Sequence, residues 1–438
     1  MAFRFLHTAD IHLDSPLRGL AGQQGAAADR IRTATRAAFD ALVGRAVEEA
    51  VDFVVIAGDL YDGDWRDYQT GLFFVAQMGR LAQARIPVFL ALGNHDAQNR
   101  ITRSLTLPDN VTVFPAKAAA SAELPEIGAV LHGRSFRQRD ETEDFVPGYP
   151  EPVAGAFNIG VLHTGLGGRG GHADYAPCSL PELVAKGYDY WALGHVHQAE
   201  VLHEAPHVVF PGNLQGRHVR ETGPKGATLV TVADGAVTGL TRWEVDVVRW
   251  ALLPVDAAGC DRMTEVEARI RDAIEAAAGR DAGTNGDRLL AIRIELQGAT
   301  ALHAALAGAA ERLLAEARAA AAGLGDGIAW VEKVKPATAP PPDAAAQAAR
   351  QDALGDLQRM LDAAAADPDL AARLDAEVGE MARRLPAELR AEAEDPALQA
   401  ALEGDTAALV AEARRLLDAS LADDLPESLP DTLSGSGS

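Results

Sequence analysis

The sequence predicts an α/β fold, with β-sheets flanked by helices over the first half, then a small α+β domain and an acidic helical C-terminal tail. Three observations predict it. Short β-branched runs alternate with helical stretches over residues 1–250, the rhythm of a layered α/β sheet. A strand-helix-strand-helix-strand pattern follows. Beyond the run Ala339-Pro340-Pro341-Pro342 the chain turns Ala-rich and acidic, and that run reads as a stiff, extended linker. The 438 residues allow about three domains at roughly 150 residues each.

In chain order, apolar runs at 3–8, 53–57 and 87–92 read as strands, with helices near 26–50 and 68–84 between them. Further strands are expected at 130–132, 158–163, 190–193 and 208–210. The turn Ala233-Asp234-Gly235 between apolar runs 228–232 and 237–243 signals a hairpin. The middle segment reads strand 249–255, helix 264–278, strand 289–296, helix 301–321 and strand 328–334, a βαβαβ unit. Past the linker, helices with modest apolar stripes are expected at 345–362, 368–385, 387–401 and 407–419. The last stretch ends Ser-Gly-Ser-Gly-Ser and has the composition of a disordered tail. The boundaries are therefore 1–248, 249–338, linker 339–342, acidic helical region 343–426 and tail 427–438.

Composition narrows the class of function. No apolar run is long enough for a membrane span, and the start of the chain lacks the basic flank and apolar stretch of a signal peptide. Cys178 and Cys260 are the only cysteines, which excludes a disulfide framework or a cysteine-based zinc site and fits a reducing cytoplasm. The formal net charge is −23, which argues against nucleic acid, since that partner is usually gripped by cationic patches. The acidity is uneven. Residues 340–438 hold 8 basic and 21 acidic residues, against 22 and 29 in residues 1–250 and 10 and 13 in 251–339.

Five short polar motifs fall where apolar strands are expected to end: Asp10-Ile11-His12, Gly58-Asp59, Gly93-Asn94-His95-Asp96, His163, and Gly194-His195-Val196-His197. In an open α/β sheet the carboxyl ends of strands share one edge, so distant motifs can converge there. Singly, each has a plain alternative. An Asp after a strand is commonly a cap or turn residue, and Asn94 could form an Asx-turn. Polar turns directly after apolar strands nevertheless need partners, and five such motifs in this order are hard to explain as turns.

Two carboxylates, one amide and four imidazoles suit Mn²⁺, Fe²⁺ or Zn²⁺ better than Ca²⁺. Seven side chains are too many for one ion; one carboxylate shared between two ions gives each four protein ligands and leaves room for water and substrate. His7, His132, His203, His207 and His303 read as structural or surface residues, with His132 the one rival to His163. His172, Arg217, His218 and Arg220, in Gly-rich polar stretches, are candidates to contact substrate phosphate.

Taken together, the motif order resembles the calcineurin-like metallophosphoesterase superfamily over roughly residues 1–250. The opening Phe5-Leu6-His7-Thr8-Ala9-Asp10-Ile11-His12-Leu13-Asp14 resembles the SbcD-type DNA repair exonucleases. Ser15-Pro16-Leu17, the stretch 172–178 and Pro211-Gly212-Asn213-Leu214-Gln215-Gly216-Arg217-His218 look most like the YhaO-like subgroup. The resemblance implies a metallophosphoesterase core with a capping domain at 249–338. It implies that Asp10, His12, Asp59 and His197 hold one metal, that Asp59, Asn94, His163 and His195 hold the other, and that Asp59 bridges them. His95 then protonates the leaving oxygen or orients the phosphate, and Asp96 is expected to orient His95 or another site group.

The implied cofactor is a pair of divalent ions, Mn²⁺ first, with Fe²⁺, Zn²⁺ or Mg²⁺ as alternatives. The implied activity is exonucleolytic hydrolysis of DNA phosphodiesters by metal-activated water. The implied partner is an SbcC-like (YhaN-like) coiled-coil ABC-type ATPase, with residues 343–426 a candidate docking region, and a homodimer is also expected. Two other readings stay open: a phosphoesterase acting on nucleotides, cyclic nucleotides or phosphoproteins, and a regulatory scaffold for the ATPase. A DNA enzyme should show a groove lined by arginines, for which Arg134, Arg137, Arg139, Arg169, Arg217 and Arg220 are candidates.

Overall fold

The computed structural model describes residues 2–15, 26–62, 68–98, 106–168, 175–281, 288–341, 360, 373, 377–378, 381, 396–405 and 408–410. The chain begins with β1 (Ala2–Thr8), α1 (Ala26–Arg32), α2 (Ala34–Glu48), β2 (Phe53–Ala57), α3 (Tyr68–Gln83), β3 (Val88–Ala91), α4 (Asn94–Gln98) and β4 (Val111–Val113). Then come β5 (Ala120–Leu124), β6 (Ala129–Gly133), β7 (Phe157–His163), α5 (Leu180–Ala185), β8 (Tyr190–Gly194), β9 (Glu200–Glu204), β10 (His207–Phe210), β11 (Gly226–Ala233) and β12 (Ala236–Glu244).

These strands form two six-stranded sheets, ordered β12-β11-β1-β2-β3-β4 and β5-β6-β7-β8-β10-β9. In the first, β1 to β4 run parallel; in the second, β6, β7, β8 and β10 do. Phe5, Phe53 and Phe89 of the first sheet share one buried cluster with Phe157, Ile159 and Tyr190 of the second, so the sheets pack face to face. The Phe5 and Phe53 rings stack at 4.9 Å, and Tyr190 meets Phe5 edge-on at 5.2 Å. On the outer face of the first sheet, Phe39 and Leu42 of α2 and Phe74 and Met78 of α3 cover Leu6, Val54, Ile56 and Leu90. Leu183 of α5 packs with Trp191 and Phe210 on the outer face of the second. Burial on both faces explains why β2 and β7 are apolar almost throughout instead of alternating.

The expected helix at 26–50 is broken at Thr33 into α1 and α2. Strands β4, β5 and β9 escape a reading of apolar runs because they are short edges with half-exposed side chains. The hairpin turn places Asp234 and Gly235 at φ 52° and 76°, the left-handed pair required by the tight turn that matches strand twist.

The middle segment forms β13 (Val248–Asp256), α6 (Met263–Asp281), β14 (Leu289–Gln297), α7 (His303–Gly308), α8 (Ala310–Gly323) and β15 (Ala329–Pro336). Its sheet order is β13-β14-β15, and the helix expected over 301–321 is interrupted at Ala309. The chain divides into two compact units. One comprises Met1–Pro254, Ile270–Glu295 and Leu314–Val334, the other Val255–Arg269, Leu296–Leu313 and Lys335–Ser438. Within the first, Val248, Trp250, Leu289 and Ala291 pack with Ile31, Ala34 and Val219. Within the second, Ala339, expected to open the linker, is bridged to Ala299. Of the expected tail helices, α9 (Pro396–Glu403) is described, within and just beyond 387–401; those at 345–362, 368–385 and 407–419, and the tail 427–438, lie wholly or mostly outside the described residues.

Candidate metal centre

The loops that follow β1, β2, β3, β7 and β8 open onto one edge of the sandwich. Asp10 and His12 follow β1, Asp59 follows β2, Asn94 and His95 follow β3, His163 ends β7, and His195 and His197 follow β8. Asp10, His12, Asp59 and His195 have φ of 50°, 46°, 52° and 104°. Such left-handed backbone is strained for a residue with a Cβ and persists only where surroundings over-determine it. Here Asp10 N–H donates to Gly58 O at 3.0 Å, His12 N–H to Asp59 O at 3.1 Å, and His195 N–H to the Asp10 carboxylate at 3.0 Å. Two glycines make the approach possible. A Cβ at Gly58 would lie 2.3 Å from His163 Nδ1, and one at Gly194 1.9 Å from Ala57 O.

Ligand atoms of Asp10, His12 and His197 lie within 4.8 Å of one another, as do those of Asp59, His163 and His195. Asn94 Oδ1 is 3.0 Å from His163 Nε2. Asp59 Oδ2 is 3.9 Å from His12 Nε2 and 3.5 Å from His163 Nε2, which sets it between the two groups. His132, the rival of His163, is instead tied to Ser121 and Asn158.

The donor chemistry calls for cations. His197 Nδ1 lies 2.7 Å from Glu221 Oε1, which fixes its proton there and leaves the Nε2 lone pair facing His12 Nε2 at 3.2 Å. His12 Nδ1 is buried with no hydrogen-bond partner. Burial, reinforced by the charge of Asp59, pushes Asp10 up to about 7. Against burial, Asp59 lifts His163 to about 9, while His163 and His95 hold Asp59 well below the usual carboxylate range. Buried carboxylates and facing imidazole nitrogens are what divalent ions satisfy, displacing the protons held in their absence. The residues fit two such ions.

His95 sits over this cluster with its side chain 30% exposed; its backbone N–H donates to Asp59 Oδ1 at 3.0 Å. Its Nδ1 donates to Asp62 Oδ1 at 2.9 Å, leaving Nε2 for a substrate atom. Although burial opposes it, the charges of Asp59 and Asp62 raise the His95 pKa. His95 is not the partner of Asp96. The Asp96 carboxylate accepts backbone N–H groups of Leu60, Tyr61 and Gly93 at 2.9–3.1 Å, so it clamps the loops bearing Asp59 and Asn94.

Two contributors went unread in the sequence. Asp62 orients His95 and Glu221 orients His197; each is an acidic residue just beyond a recognised motif, three after Asp59 and three after His218. Arg217, expected to contact phosphate, places its guanidinium against Glu221 and Asp62. His218 is 44% exposed and 3.8 Å from Glu221, and Arg220 is exposed. Of the expected arginine groove, Arg134 pairs with Glu143 and lies over Phe145, and Arg137 is exposed. Arg139 contacts Tyr175, whose ring lies 5.6 Å from that of His195. His172 and Arg169 lie outside the described residues.

Comparison with known proteins matches residues 3–199 to the calcineurin-like phosphoesterase family and residues 250–339 to the middle domain of metallophosphoesterase YhaO. The uncharacterized metallophosphoesterase YhaO of Bacillus subtilis is 36% identical over 272 residues, covering 61% of this chain and 66% of that one. The DNA double-strand break repair protein Mre11 of Methanopyrus kandleri is 24% identical over 325 residues, 67% of this chain and 68% of that one. The chain thus spans about two thirds of the length of these relatives. Among solved structures, a dimetal phosphatase from Danio rerio aligns at 14% identity and a TM-score of 0.33, over 55% of this chain and 97% of that one.

Proposed function

From a chain that belongs, over residues 3–199, to the calcineurin-like phosphoesterases and continues into a YhaO-type middle domain, we propose a two-metal DNA exonuclease. The observation that carries this reading is the convergence of Asp10, His12 and His197 with Asp59, His163 and His195, under a protonatable His95. Likeness to a DNA double-strand break repair protein favours DNA as the substrate. Two bound divalent ions, Mn²⁺ in this reading, supply an activated water and neutralise charge on the phosphate.

The chain's own residues do the rest. Asp59 and Asn94 hold the centre of the site, Asp62 keeps His95 Nε2 turned towards the substrate, and His95 gives its proton to the departing deoxyribose oxygen. Asp96 keeps the two loops in register. In this reading the enzyme is cytoplasmic, can pair with a second copy of itself, and works with a YhaN-like coiled-coil ATPase docked by the acidic region beyond the linker. Among the described residues no helix is long and apolar enough to cross a membrane.

The test compares labelled double-stranded DNA, single-stranded DNA, a cyclic nucleotide and a small phosphodiester in Mn²⁺, with His95→Asn as control. DNA cleavage is expected, with His95→Asn keeping its metal but losing about 10²- to 10⁴-fold in rate. Cleavage of the small esters without DNA would replace this reading with the nucleotide phosphoesterase. Full activity of the variant on DNA would remove His95 from its role.

A further inference from the structure

Arg217 lies between the two histidines whose orientation the reaction needs most. Its Nη2 is 2.9 Å from Glu221 Oε1, its Nε 3.4 Å from Glu221 Oε2, and its Nη1 3.6 Å from Asp62 Oδ2. Its backbone N–H also donates to Glu221 Oε2 at 2.7 Å. Glu221 takes the His197 Nδ1 proton at 2.7 Å and the Asn213 amide at 2.9 Å. Asp62 takes the His95 Nδ1 proton at 2.9 Å and the Ser15 hydroxyl at 2.5 Å. One line of contacts therefore runs His95–Asp62–Arg217–Glu221–His197 around the outside of the ligand cluster. The Arg217 side chain is 14% exposed, and those of Asp62 and Glu221 are 17% and 6% exposed.

We propose that Arg217 is a positioning residue that ties the two flanks of the site together, fixing the proton donor relative to the metal ligand. Two largely buried carboxylates without a shared cation would repel each other and turn towards water, releasing both imidazoles. A guanidinium suits the task because its planar fork reaches two acceptors at once. A lysine ammonium is a single point that serves one carboxylate.

The inference rests on the nuclease reading for its kinetic consequence, but its metal-binding consequence does not. At saturating Mn²⁺, Arg217→Met should lower kcat on a dinucleotide, whose alkoxide leaving group needs a proton, by about 10²-fold. On bis(p-nitrophenyl) phosphate, whose leaving group departs without one, the loss should stay under about tenfold, with KM nearly unchanged on both. The same change in an enzyme already carrying His95→Asn should add little, because both substitutions remove one device. Mn²⁺ titration by calorimetry, without substrate, should show binding weakened about 10- to 100-fold, the usual cost of losing support behind a ligand. Arg217→Lys should show the same loss confined to the poor leaving group, with thermal unfolding confirming that both variants are folded.

A rise in KM with kcat intact would overturn the proposal and make Arg217 a phosphate contact. Losses that multiply with His95→Asn, or unchanged Mn²⁺ affinity in Arg217→Met, would also overturn it. Should the native chain cleave neither diester, the nuclease reading fails, while the Mn²⁺ titration still decides whether Arg217 supports the ligand cluster.

Discussion

The candidate ligands hold their places because small residues let strand ends approach more closely than side chains normally allow. Gly93 shows the tolerance: a Cβ there would lie 2.3 Å from Asp59 Oδ1 and 2.7 Å from the Asp59 backbone nitrogen. Gly93→Ala must displace the loop that carries the residue between the two ligand groups. We expect it to reduce turnover at saturating Mn²⁺ by about 10²-fold, the scale of a one-ångström misplacement of reacting groups. Native-like turnover by that variant would show that the Asp59 loop yields freely. The glycines of the Gly-Asp, Gly-Asn-His-Asp and Gly-His-x-His motifs were visible in the sequence, but the reason for them was not. Each meets an atom from another strand: Gly58 meets His163, Gly93 meets Asp59, and Gly194 meets Ala57.

Between elements, β1 and β8 belong to different sheets, yet both lead into ligands. His7 of β1 joins them: its Nε2 donates to Leu193 O at 3.1 Å and its Nδ1 accepts from the Tyr190 hydroxyl at 3.0 Å. Burial lowers the His7 pKa from 6.5 to about 3, so the folded protein holds this ring neutral while the unfolded chain protonates it below about pH 6.5. The stability linked to neutral His7 is therefore complete above that pH and declines as pH falls towards 3, by up to about 1.4 kcal/mol per pH unit. His7→Gln, which retains a donor and an acceptor, should lose about 2 kcal/mol less than the native chain between pH 6.5 and pH 5, read from urea unfolding. Equal pH dependence in both would show that the ring charges without cost. The apolar strands at 53–57 and 190–193 were legible because burial on both faces leaves little polar to blur them. The edges β4, β5 and β9 were not, because their half-exposed side chains give no such run.

Over the whole molecule the charge of −23 is concentrated beyond the linker, where residues 340–438 hold 8 basic and 21 acidic residues. So acidic a chain repels DNA, so the proposed nuclease activity would call for cations in the site and for a partner to supply most of the grip. If residues 343–426 dock the ATPase, full-length chain should capture it and a chain ending at residue 338 should not. Equal capture by both would sink the docking role.

The sequence by itself determined the residue types of the candidate ligand set and their places at strand ends, because an apolar run followed by a polar turn is a local pattern. It also placed His95 among them, through the motif it shares with Asn94. Only the tertiary structure decided who meets whom. Asp62 behind His95, Glu221 behind His197, Arg217 between them and Asp96 on three backbone amides are pairings made where strand ends and loops from both sheets converge. Residues distant in the chain become neighbours there, and no local spacing encodes which acid will stand behind which imidazole.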